Sequence, residues 1–125
     1  MTATQLPVKD PSQILQTALA AIALPADWVG IRALREVETY RSMRDGKPER
    51  NGKSRDQGAM VEVLVDGHLG YAATNQLSVE GLQAAAKAAY AQAKAASPWQ
   101  IHRFSPDIRP RVTGNYRSNV IQPLH

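Results

Sequence analysis

The sequence contains no cysteine, which excludes disulfide frameworks, thiolate nucleophiles and Cys-ligated zinc. A reducing compartment suits such a chain. No stretch approaches the roughly 18 uninterrupted apolar residues of a membrane span, and "MTATQLPVKD" lacks a basic region followed by an apolar core. The chain therefore reads as soluble and cytoplasmic, with no membrane partner. Gly-rich phosphate loops and the Gly-x-Ser-x-Gly elbow are both missing. Aromatic residues are few, and neither a basic helix nor an aromatic-basic strand motif is present, so nucleic acid is not an expected partner. The three histidines, His68, His102 and His125, are far apart and start no His-Glu-x-x-His pattern. A complete zinc site is not expected, and His68, just after a turn glycine, reads as exposed. Ser42, Ser54 and Ser78 have no histidine nearby in sequence.

What remains is ordinary globular composition in 125 residues. That length suits one domain, and folding would bury roughly two-thirds of the unfolded chain's surface. Charge is distributed unevenly. Residues 1–66 carry nine Lys/Arg against nine Asp/Glu, whereas residues 67–125 carry six against two. Arg103, Arg109, Arg111 and Arg117 face only Asp107 near the C-terminus, and this segment reads as solvated charge on an irregular chain.

Asp10-Pro11 opens a helix, with Asp10 at the N-cap, Pro11 at N1 and Gln13 at the capping-box position. Ile14, Leu15, Ala18, Leu19 and Ile22 follow at helical spacing, and Leu24-Pro25 ends the pattern. Trp28 to Tyr40 alternates as a long strand, and a change of parity at Leu34 hints at a bulge. Glu36 and Glu38 share a strand face, which solvated alternation explains. Residues 41–57 carry Asp45-Gly46 and Asn51-Gly52, two turn dipeptides that suggest a hairpin or a mobile polar flap. Ala59–Asp66 and Leu69–Thr74 alternate around Asp66-Gly67, the strongest short-range hairpin signal in the chain.

Ser78 caps a second helix, with Leu77 and Leu82 placed as a hydrophobic staple. That helix runs to about Ala96, where Ser97-Pro98 stops it. Leu82, Ala86, Ala89 and Ala93 form a thin stripe that would let it lie close to a sheet, while Lys87 and Lys94 face solvent. The expected architecture is α+β: a two-layer unit in which two helices pack on a mostly antiparallel sheet, made of a long strand and a hairpin. Residues 1–97 form the α+β domain, and residues 98–125 an extended basic segment.

Three stretches, "ADWVGIRALREVETYRSMRDGKPE", "SRDQGAMVEVLVDGHLGYAATNQLSVEGLQAAAKAAYAQAKA" and "TGNYRS", resemble successive pieces of the N-terminal half of the TldD/PmbA family. These are cytosolic metallopeptidases once called modulators of DNA gyrase. The specific part is Ser-Arg-Asp before a glycine, an apolar strand, a turn, Gly-Tyr-Ala-Ala-Thr-Asn and Leu-Ser-x-Glu-Gly-Leu. The resemblance spans roughly residues 26–120.

The resemblance implies a zinc-dependent peptidase acting on unfolded peptides, built from paired related subunits of which one carries the metal. The family's His-Glu-x-x-x-His helix lies downstream of the matched region, and no family metal ligand or catalytic residue falls on this sequence. The expected role is a non-catalytic, substrate-positioning and subunit-pairing N-terminal portion, with no cofactor of its own and a catalytic domain to follow. The alternative is a stand-alone binding module docking on a catalytic partner subunit. Peptide pairing with a sheet edge would supply sequence-tolerant grip, with Val61–Val65 as one strand to test. Expected partners are peptide substrate and a related subunit or a second copy. Arg55 and Asp56 in the flap, with Gly70, Tyr71, Thr74 and Asn75 along the following strand, are the candidate peptide or partner contacts. The small residues from Gly70 to Asn75 would leave room for another backbone.

Overall fold

A computed structural model describes residues 10–119; the first nine residues and the last six of the basic segment lie outside the described residues. Five elements follow in order: α1 (Ser12–Ala21), β1 (Trp28–Arg44), β2 (Lys47–Val65), β3 (His68–Thr74) and α2 (Val79–Ala96). Two 3-10 turns, Ser97–Trp99 and Pro106–Ile108, punctuate the segment beyond. The strands form one antiparallel sheet in the order β1-β2-β3. Both helices pack on one face of it, giving the expected α+β architecture.

Both hairpins turn on Asp-Gly. Asp45 and Gly46 have φ of 49° and 75°, and Asp66 and Gly67 have 48° and 80°. Positive φ at both central residues is the type I′ geometry whose twist matches that of paired strands. The second Asn-Gly signal does not turn: Asn51 and Gly52 lie within β2, opposite Arg41 and Tyr40. Gly52 instead gives the Tyr40 ring a flat seat, since a Cβ there would meet the ring at 2.1 Å. Nor does a bulge occur at Leu34. Register is unbroken from Trp28 to Ser42 and shifts only between Ser42 and Met43, while Leu34 is exposed on the sheet face away from the helices.

The core lies between sheet and helices. Val61 and Val63 of β2 and Leu82 of α2 are fully buried, each worth roughly 1.5–3 kcal/mol of burial. The alanine stripe works as its spacing suggests: Ala86, Ala89 and Ala93 are all buried. Ser78 Oγ accepts the Gly81 amide at 3.0 Å, capping α2. At α1, the Asp10 carboxylate accepts the Ser12 amide at 3.0 Å, and Leu15 N–H bonds to the Pro11 carbonyl. That bond to Ser12 holds the Asp10 carboxyl below its ordinary value of 3.8.

Candidate functional site

Pairing lengths differ sharply across the sheet. β1 and β2 pair from Trp28↔Leu64 to Arg44↔Lys47, but β3 accompanies β2 only from Val65↔His68 to Ala59↔Thr74. Past Ala59 the sheet therefore becomes a two-stranded ribbon, with β2 residues 47–58 lacking, among the described residues, a neighbour where β3 would continue.

The direction of the backbone groups follows from the ladder. The Tyr71 amide donates to Gln92 Oε1 at 2.6 Å, so Tyr71 points away from β2 and its partner Glu62 points toward β1. Alternation then turns the amides and carbonyls of odd-numbered β2 residues toward the β3 side. Val61 and Val63 spend theirs on β3, whereas Asn51, Lys53, Arg55 and Gln57 present theirs to the open edge. Gln92 meanwhile occupies one outward amide of β3, partly closing that strand's own edge.

This geometry corrects the reading of Val61–Val65 as an available edge, because β2 is paired on both sides there. The same strand supplies an edge farther along, beyond Gly58. Four candidate contacts lie along the chain on either side of this notch. Thr74 sits opposite Ala59 as the last paired residue of β3, its Oγ1 accepting the Gln76 amide at 3.1 Å. Exposed Asn75 follows, and exposed Asp56 and Arg55 lie within the open stretch, beyond Gly58 and Gln57, on opposite faces.

The other two candidates lie elsewhere. Tyr71 is half-exposed on the sheet face away from the helices. Gly70 is buried, and a Cβ there would meet the Ala89 carbonyl oxygen at 1.9 Å. Another backbone does approach Gly70, as its size allows, but it is the chain's own α2.

Sequence reasoning missed the role of the C-terminal segment. Arg109 pairs with Glu62 and lies over the Trp28 ring, 5.7 Å from its centroid. Trp28 Nε1 donates to the Pro110 carbonyl at 3.2 Å, and Arg111 donates to the Asp27 carbonyl at 3.3 Å. Phe104 N–H reaches the Gly67 carbonyl at 3.0 Å. These contacts clasp residues 103–111 across the outer sheet face, where Leu64 is fully buried. Two of the four arginines read as solvated charge are thus structural. The only available signal was their excess over acidic residues, which carries no address for partners as remote in sequence as Glu62, Trp28 and Asp27.

His68 is also corrected: it is buried, with Nδ1 donating to the Val65 carbonyl at 3.1 Å. It follows the tight turn and points to the helix face, which removes it from solvent. Among the described residues, no three His, Cys, Asp or Glu side chains are grouped to hold a metal ion. Also among the described residues, no helix is long and apolar enough to cross a membrane.

Two comparisons bear on this geometry. A family model described as PmbA/TldA metallopeptidase domain 1 matches residues 29–93, from the start of β1 nearly to the end of α2. No curated protein matches the chain.

Proposed function

The chain belongs to the TldD/PmbA metallopeptidase family, carrying its first domain, and from that premise we propose that it positions extended polypeptide without catalysing its cleavage. The observation that carries this reading is the open edge of β2, where Asn51, Lys53, Arg55 and Gln57 present backbone groups beside the end of β3. An extended peptide laid there would continue the line of β3 and pair through its own main chain. Main-chain pairing is tolerant of sequence, which is what acting on unfolded peptides requires.

The ribbon is built to be stable without inviting aggregation. Its exposed side chains are mostly charged, a usual defence of free edges, and Tyr40 covers the weak point at Gly52. A two-stranded ribbon is marginal by itself in water, and a third strand at the notch would add to its stability. The zinc implied by the family, and hydrolysis with it, belong in this reading to a catalytic domain or partner subunit. A related subunit could offer its own extended segment to the same edge, which is how subunit pairing enters the proposal.

The test is binding of a fluorescent unfolded peptide, such as a casein fragment, to the 125-residue chain and to Arg55→Pro. Proline at 55 deletes one outward amide while leaving the β1–β2 ladder intact. We expect binding by the parent chain, a several-fold loss in the variant, and no cleavage by either. Equal binding by a folded Arg55→Pro would remove the open edge from the account, and zinc-dependent cleavage by this chain would overturn its non-catalytic role.

A further inference from the structure

The register sorts charge between the two faces of the ribbon. On the face continuous with the helix-bearing side stand Arg35, Arg41, Lys53 and Arg55, all exposed. They form a connected line: Arg35 lies diagonal to Arg55, Arg55 is two residues from Lys53, and Lys53 lies diagonal to Arg41. No carboxylate interrupts them on that face within residues 35–41 and 51–57. Within residues 35–41 and 51–57 the opposite face carries Glu36, Glu38 and Asp56, with Glu36 directly across from Asp56, and its bases, Arg32 and Arg50, lie just outside those spans.

This segregation has an energetic consequence. Like charges directly opposite, or two apart on one face, repel, and none of these seven residues forms an ion pair among the described residues. Edge protection alone needs charge, not sorted charge; mixing the signs on each face would protect equally and stabilise the ribbon. Sorted faces match a neighbour whose side chains alternate in sign.

A strand added beside β2 meets these faces alternately, because successive side chains point to opposite sides of a sheet. Its residues opposite Lys53 and Arg55 lie on the basic face, and its residue opposite Asp56 lies on the acidic one. We infer that the open β2 edge selects extended peptides whose acidic and basic residues alternate, acids toward Lys53 and Arg55 and a base toward Asp56. This rests on the edge-gripping reading above and adds the class of peptide preferred. Within residues 51–57, a slip by one residue would place Lys53, Arg55 and Asp56 each against its like, so the pattern also fixes the register.

Two labelled peptides of about seven residues, enough to pair with the sorted stretch of β2, test the inference. Both contain equal numbers of Glu and Lys, one alternating singly and the other in pairs. At low salt the alternating peptide should bind roughly tenfold more tightly. High salt should shrink the difference, and the double variant Lys53→Glu/Arg55→Glu should abolish it. That variant changes exposed side chains only, and its fold can be checked by circular dichroism. Equal binding of both peptides would overturn the charge selection and leave edge pairing standing, whereas binding of neither would overturn both. A preference that survives in the double variant would place its origin away from this edge and likewise overturn the inference.

Discussion

Gly70 shows how one residue joins a local rule to the fold. Strand glycines are weak points unless another backbone comes close, and here the Ala89 carbonyl lies where a Cβ would be. Gly70→Ala should destabilise the domain by about 2–4 kcal/mol, because helix and strand must separate to admit the methyl group. Urea denaturation checks this, with the midpoint falling at unchanged slope. Asp10 makes a different residue-scale prediction. Its folded-state carboxyl titrates below 3.8, so its contribution is present above the unfolded value and is lost as pH falls through the lower folded one. NMR titration should find a depressed Asp10 value and fraying of α1 at its first turn as the carboxylate protonates. The Asp10→Asn variant should show no such step.

Among the elements, those specified by local chemistry were legible in the sequence, namely α2 with its Ser78 cap and alanine stripe, and both Asp-Gly turns. Alternation located most of β1 and the part of β2 from Ala59 onward. The length of β2 was not legible, because Asn51-Gly52 carries the same dipeptide signal as a true turn and only the cross-strand Tyr40 ring reveals its other use. Of the candidate contacts, Arg55, Asp56, Thr74 and Asn75 flank the end of β3, whereas the small size of Gly70 did not say which backbone would approach it, and the approaching backbone is that of Ala89. The clasp of residues 103–111 was invisible, since its partners are remote in sequence and its segment has no periodicity. Arg109→Ala should free that clasp, leaving Glu62 without its partner and costing about 1–3 kcal/mol. Limited trypsin digestion should then cleave after Arg103 sooner than in the parent chain.

At the scale of the molecule, one architectural fact organises the account: β1 and β2 outrun β3, so a sheet with one face sealed by helices ends in a ribbon with open edges. The helices and alanine stripe hold β3 firmly, and the clasp covers part of the outer face. The unsatisfied backbone of the ribbon is left to a partner strand. Amide hydrogen exchange in the presence of saturating unfolded peptide tests this most directly. The account predicts added protection with a period of two along β2, at Asn51, Lys53, Arg55 and Gln57, while the amides between them, already bonded to β1, change little. Protection spread evenly along the ribbon, or confined to β1 or β3, would contradict it.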